Sequence, residues 1–68
     1  MNEELEQAMI DYVATARSIR QHAATRQKRY EADNCPEAVE LIEDNRRWIE
    51  YLDREITEYE KRLGWRAT

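Results

Sequence analysis

The side chains that could carry out chemistry are few and widely spaced. Ser18 and His22 lie four residues apart, so on a helix they would share a face, as a nucleophile and its general base must. A hydrolytic site also needs an acid that orients the histidine and an oxyanion hole, and a bare pair with this spacing is common by chance. We therefore expect His22 to be a solvated surface residue and the chain to be no enzyme, with no catalytic residue.

Metal, phosphate and thiol chemistry have little support. One histidine and one cysteine cannot build a zinc site, and the single glycine excludes a glycine-rich phosphate loop. We therefore expect no metal and no cofactor. Cys35 is predicted in the first turn of a helix, where the helix dipole stabilises a thiolate, so a redox switch is one interpretation and a small turn residue is the simpler one.

Basic residues in the first half of the chain point to nucleic acid as an alternative ligand. Arg17, Arg20 and Lys28 share an outward sector of a predicted helix, and two such ridges in a dimer could follow phosphates. The acidic start of the second half and the net charge of -4 weaken this interpretation. Nucleic-acid binding therefore stays the second hypothesis.

Two heptad stripes predict the helices that position these side chains. The first stripe steps by three and four residues through Leu5, Met9, Tyr12, Ala16, Ile19, Ala23, Arg26 and Tyr30. The second stripe runs through Ala38, Ile42, Asn45, Ile49, Leu52, Ile56, Tyr59 and Leu63. We expect helix 1 at about 2–31, a turn at about 32–35 and helix 2 at about 35–63.

The ends of helix 2 carry residues that start and stop helices. Asn34 is a predicted N-cap, and Pro36 needs no backbone donor in the first turn. Gly64 can adopt the left-handed conformation that ends a helix, which would let Trp65 fold back onto the last turn. We expect the residues after Trp65 to fray.

A tight turn between long helices predicts an antiparallel hairpin in which the stripes pair layer by layer. Ala23 then faces Asn45, and Ala16 faces Leu52 in a small-against-large layer. The basic second half of helix 1 lies beside the acidic start of helix 2, and the signs invert at the other end. Three pairs within helix 2 have the order that favours an i,i+4 salt bridge: Glu43–Arg47, Glu50–Arg54 and Glu58–Arg62.

One hairpin leaves apolar side chains uncovered. Leu41, Trp48 and Tyr51 flank the second stripe, and tryptophan is a frequent interface anchor, so we expect a partner to cover them. Helix 1 adds a smaller surface that points away from its stripe: Ile10, Val13 and Ala24. These residues predict a dimer interface that includes Trp48, Leu41, Tyr51 and Ile10.

Two polar residues interrupt the stripes. Asn45 could fix the register and oligomeric state, or be a tolerated polar position, and both interpretations stay open. For Arg26 we expect the aliphatic stem to cover the seam while the guanidinium reaches Glu43 or solvent. We include Asn45 among the predicted interface residues.

The fold class is all-α: residues 1–68 form one antiparallel two-helix hairpin, coiled-coil-like, that dimerises into a four-helix bundle. Below roughly 70–80 residues one core seldom supplies more than about 3–5 kcal/mol, and without a disulfide or zinc site oligomerisation is the remaining support. We predict a small interaction or regulatory protein that forms a homodimer and binds a further protein partner. A subunit that needs a different protein in order to fold is an alternative.

Length and hairpin layout are similar to those of the Rop-type plasmid regulators, which are dimeric helical hairpins that bind paired RNA loops. The similarity is one of layout and implies RNA binding by analogy. Small helical proteins of this size are frequent in phages and mobile elements, which makes such an origin a further hypothesis. An acidic N-terminus and the absence of a long apolar run predict a cytoplasmic protein without a membrane contact.

Overall fold

The computed structural model describes residues 2–33 and 35–64, which form two α-helices packed against each other as a hairpin. Helix α1 spans Glu3–Asp33 and helix α2 spans Pro36–Leu63. Both helices begin and end within two residues of the predicted bounds. The long axis of the hairpin measures 49 Å, which agrees with 31 residues at about 1.5 Å each. The predicted two-helix hairpin is confirmed.

Helix α1 begins at a side-chain cap. The Asn2 Oδ1 atom accepts a hydrogen bond of 2.7 Å from the backbone N–H of Glu4, and this satisfies a donor that has no partner within the helix. Helix α2 begins differently, because the N-cap residue Cys35 is extended and its side chain makes no capping bond. Pro36 follows at the first position, where its missing N–H costs nothing.

Helix α2 ends at Gly64, as predicted. This residue is left-handed, with φ of 76°, and its N–H bonds to the Lys61 carbonyl at 3.1 Å. The predicted cap at Asn34, the folding back of Trp65 and the fraying after it all lie outside the described residues.

The core lies between the helices, on a face of α1 rotated from the predicted stripe. Val13 is 1% exposed, so the prediction that it points away from the seam is wrong. Tyr12 and Ile19, predicted in the seam, are 37% and 38% exposed and lie at its rim. Val13 has no polar atom to satisfy inside, whereas Tyr12 needs a partner for its hydroxyl and finds one at the rim in Glu55. Leu5 is also exposed.

Helix α2 uses its predicted stripe. Ala38, Asn45, Leu52 and Ile56 are buried, and the central cluster joins Val13 and Ala16 of α1 to Leu52 and Ile56. The predicted layer of Ala16 and Leu52 therefore lies at the centre of the core.

Asn45 establishes the register of the two helices. Its Nδ2 atom donates to the Ala23 carbonyl at 2.7 Å and to the Gln27 Oε1 atom at 2.9 Å, which confirms the predicted layer of Ala23 and Asn45. Arg26 donates to the Asn45 Oδ1 atom at 3.4 Å rather than to Glu43. The Asn45 side chain is buried and fully hydrogen-bonded inside the hairpin, so a slip of the helices by one layer would leave its amide without these partners.

Short-range ion pairs along α2 follow the prediction only in part. Arg62 lies 3.4 Å from Glu58, as expected. Glu43 pairs with Arg46 and not with Arg47, which lies 3.9 Å from Asp44, because residues three apart are neighbours on a helix as well as residues four apart. Among the described residues, no ion pair joins Glu50 to Arg54.

The helices in the described ranges include none with the length and apolar content needed to cross a membrane.

Candidate interaction surface

One broad side of the hairpin carries large apolar side chains, which we call the aromatic face: Tyr12, Ile19, Leu41, Trp48 and Tyr51. Residues seven apart return to nearly the same side of a helix, so Tyr12 and Ile19 form a row on α1, and Leu41 and Trp48 form a row on α2. All five side chains are between 37% and 47% exposed. The two rows make one surface across both helices.

Two adjoining grooves show that the aromatic face is continuous. A central groove of about 380 Å³ is lined by Tyr12, Thr15, Ala16, Ile19, Trp48, Tyr51 and Leu52. A second groove of about 240 Å³, nearer the turn, is lined by Arg26, Tyr30, Leu41, Asp44, Asn45 and Trp48. Trp48 belongs to both grooves and therefore lies at the middle of the face.

Contacts among the rings hold the aromatic face in one arrangement. Trp48 and Tyr51 stack with ring centroids 5.6 Å apart and planes 12° apart, and Tyr12 packs on Tyr59 at 4.7 Å. The hydroxyls of Tyr12 and Tyr51 both donate to the Glu55 Oε1 atom, at 2.9 Å and 3.2 Å. The hydrogen bond to Glu55 raises the pKa of Tyr12 from 10.0 to about 12. The rings are thus positioned before any partner arrives.

The opposite broad side is ionic, and we call it the ion-pair face: Arg17, Arg20, Asp53 and Glu60. Arg17 pairs with Glu60 and Arg20 with Asp53, and each pair joins α1 to α2. Arg20 and Asp53 lie near the middle of their helices, whereas Glu60 lies three residues before the end of α2. Neither carboxylate belongs to the acidic start of α2, beside which we expected the basic half of α1. Asp53 raises the pKa of Arg20 further through its hydrogen bond. The Glu60 side chain is only 7% exposed beneath Arg17.

This pairing bears on the predicted nucleic-acid surface. Of its three cations, Arg17 and Arg20 contact carboxylates, while Lys28 is exposed on α1. A phosphate would have to compete with Asp53 and Glu60 for the two arginines. The hypothesis of nucleic-acid binding stays a prediction.

The structure separates the five predicted interface residues into three locations. Leu41, Trp48 and Tyr51 lie together on the aromatic face. Ile10 is half-buried and lies seven residues before Arg17, on the side of the ion-pair face. Asn45 is inside the hairpin.

Sequence reasoning missed Tyr12 and Ile19 as surface residues because it assigned them to the seam. The available signal was their spacing of seven residues, which predicts a row on one side of α1 but not which neighbour it meets. The role of Glu55 between Tyr12 and Tyr51 was missed as well. The spacing of four residues from Tyr51 to Glu55 could have suggested that contact.

The residues singled out for chemistry do not converge. Ser18 and His22 are both exposed on α1, and Cys35 is an exposed free thiol at the turn. Within residues 2–33 and 35–64, no three or more His, Cys, Asp or Glu side chains form a group that could hold a metal ion.

The arrangement defines a two-helix hairpin with one apolar and one ionic side. No family model, curated protein or solved structure matches the chain. The aromatic face is therefore the feature from which a function can be inferred.

Proposed function

We propose that the protein is a non-enzymatic interaction protein that acts as a homodimer of helical hairpins and binds or regulates another protein through helix faces. The aromatic face is the single observation that carries this proposal. A contiguous apolar surface on one side of a small protein is typical of an interface, whereas scattered apolar residues are not. Its ring contacts also favour binding, because ordered side chains lose little freedom when a partner covers them.

The small core supports the homodimer. Seven described apolar side chains are buried inside the hairpin, and three of them are alanines: Met9, Val13, Ala16, Ala23, Ala38, Leu52 and Ile56. Burial of one large apolar side chain contributes about 1.5–3 kcal/mol, so covering the aromatic face would add stability of the same order as the core itself. The second copy would therefore be part of the stable fold.

The test is the mass in solution of the wild type and two matched variants. We expect sedimentation equilibrium to give twice the chain mass of 8.2 kDa. Trp48→Glu should shift the equilibrium to monomer, because a charge buried without a partner opposes association. Val39→Glu is the control, since Val39 is 66% exposed and lies fourteen residues before Asp53 on the other side. A wild-type monomer at every concentration, or equal effects of the two variants, would refute the proposal.

The alternatives give different results. An RNA- or DNA-binding hairpin would shift a nucleic-acid probe at low salt, and alanine at Arg17, Arg20 and Lys28 would abolish the shift. We expect no shift, since two of these cations already have carboxylate partners. A subunit that requires a different protein would show a weak, noncooperative melt independent of concentration. The proposed compartment is the reducing cytoplasm, which suits the free thiol of Cys35.

A further inference from the structure

We infer that the central groove of the aromatic face is a binding site for a small organic cation with apolar substituents, that is, for a quaternary ammonium ion. The groove has a volume of about 380 Å³, and three aromatic side chains line it: Tyr12, Trp48 and Tyr51. Sites for small ligands measure about 300–1,000 Å³ and are lined mostly by apolar and aromatic side chains. The site does not depend on the proposed homodimer.

The rings that line the groove suit a cation as well as an apolar group. The face of an aromatic ring is partly negative and attracts a cation within about 6 Å of the ring centre. The ring cluster already holds one such contact, since the Arg62 guanidinium lies 5.3 Å from the centroid of Tyr59, on which Tyr12 packs. Among the described residues, no cation lies over the rings of Tyr12, Trp48 or Tyr51. These three rings are therefore available to a cation from outside the chain.

A carboxylate at the edge of the groove favours a positively charged ligand. The Glu55 Oε1 atom accepts hydrogen bonds from the hydroxyls of Tyr12 and Tyr51, and both donors are neutral. No ion pair within the described ranges includes Glu55. Glu55 is half-buried, and solvent screens a half-buried charge less than an exposed one. Its negative charge therefore acts on a ligand in the groove.

The nearby cations leave the charge of this carboxylate in place. Arg62 pairs with Glu58 at 3.4 Å, so these two charges offset each other. Arg54, the residue before the carboxylate, is exposed and lies about 100° round the helix from it. Arg26 lines the groove nearer the turn, and Asp33, seven residues later, lies on the same side of α1. None of these cations lines the central groove.

A quaternary ammonium ion matches these features better than a primary ammonium ion or a neutral apolar molecule. Its methyl groups can pack between the rings, while its charge is attracted by the ring faces and by Glu55. A primary ammonium ion is strongly hydrated and has three donors to satisfy, which a mostly apolar groove does not do. A neutral molecule would gain nothing from the carboxylate.

A charged ligand and its neutral isostere test the site. Choline and neohexyl alcohol have the same shape, because a carbon atom of the alcohol replaces the nitrogen of choline. In a nuclear magnetic resonance titration of the full chain at low salt, choline should shift the Trp48 indole N–H signal, which Trp48→Phe identifies by its loss. We expect choline to bind about tenfold more tightly than the alcohol. Equal affinities, or no shift with choline, would overturn the inference.

Two carboxylates of α2 provide a matched control. Glu55→Gln removes the charge beside the groove and keeps an acceptor for the tyrosine hydroxyls. Glu50→Gln makes the same change at an exposed position about 140° round the helix. We expect Glu55→Gln to weaken choline binding about fivefold and to leave binding of the alcohol unchanged, and Glu50→Gln to change neither. Equal losses in the two variants would indicate general attraction to an acidic chain and contradict the site.

The site and the proposed homodimer can fail separately. A second copy would cover the same groove, so choline should shift the dimer towards monomer in sedimentation equilibrium. A wild-type monomer that binds choline would refute the homodimer and support the site. A dimer that binds no choline at any protein concentration would refute the site alone.

Discussion

Val13→Ala and Ile19→Ala should separate the interior of the hairpin from the aromatic face. Val13 is 1% exposed within the hairpin, whereas Ile19 is 38% exposed and becomes covered only in the proposed dimer. Val13→Ala should therefore destabilise the folded chain at every protein concentration. Ile19→Ala should act mainly on the assembled dimer, and its effect should grow with concentration.

The magnitude for Val13→Ala follows from the atoms removed. Two methyl-sized groups leave the core, which costs about 1.6 kcal/mol at ~0.8 kcal/mol each. The space left is at most about 50 Å³, and at ~24 cal/mol per Å³ it adds up to about 1.2 kcal/mol. The total is a large fraction of the roughly 3–5 kcal/mol that a core in a chain of this length supplies.

Urea denaturation followed by far-ultraviolet circular dichroism measures both effects. Each variant is measured in a dilute series, below the dimer dissociation constant, and in a concentrated series, above it. The denaturation midpoint of Val13→Ala should fall in both series, whereas that of Ile19→Ala should fall only in the concentrated series. Val39→Ala is the control, because its side chain is exposed. A Val13→Ala variant within about 0.5 kcal/mol of wild type, or a larger cost for Ile19→Ala in the dilute series, would place Ile19 in the seam and refute the rotated packing.

Three further variants test single contacts. Asn45→Ala removes the amide that donates to the Ala23 carbonyl, and we expect a loss of about 1–3 kcal/mol in urea denaturation. Glu55→Gln should lower the pKa of Tyr12, measured by tyrosinate absorbance. In the wild type the hydrogen bond to Glu55 raises this pKa from 10.0 to about 12, so the stability that the bond gives the folded chain is complete below pH 10.0 and is lost as the pH rises through about 12. Gly64→Ala should cost about 1 kcal/mol in thermal unfolding because φ is 76°, a conformation that L side chains rarely adopt; a steric clash adds nothing, since no atom lies within 4 Å of the added Cβ.

The helix bounds and the register could be predicted from sequence because local chemistry determines them. Pro36 and Gly64 each have one favoured place relative to a helix, and both occupy it. The register follows from the length of the turn and from the pairing of a polar residue, Asn45, with the small Ala23. These features depend on neighbours in the chain or on one contact between the helices.

The rotation of α1 about its axis could not be predicted in the same way. Met9, Ala16 and Ala23 are common to two possible seams, one completed by Tyr12 and the other by Val13. Tyr12 and Val13 each lie three or four residues from Met9 and Ala16, so a heptad pattern fits either seam equally well. The choice depends on how α2 fills the space beside small alanines, which is a property of the packed pair.

The residues of the aromatic face were predictable to different degrees for the same reason. Leu41, Trp48 and Tyr51 could be predicted because they flank an α2 stripe that is used as expected. Tyr12 and Ile19 join them because α1 packs at a rotation about its axis that differs from the predicted one, and this extends the exposed apolar surface from one helix to both. The rotation thus turns an apolar strip on one helix into a face broad enough for another hairpin.

The difference between the two broad sides also limits how large the proposed assembly can grow. A contact that uses the same surface on both copies consumes that surface, so pairing two aromatic faces closes the assembly at two chains. The outer sides of such a dimer would be the two ion-pair faces, on which Arg17 and Arg20 contact Glu60 and Asp53. A third copy would find no apolar face there, and a partner protein would meet a polar surface whose charges are already paired. The helix edges that flank the ion-pair faces, where Ile10 and Val39 lie, are then the apolar positions left for such a partner.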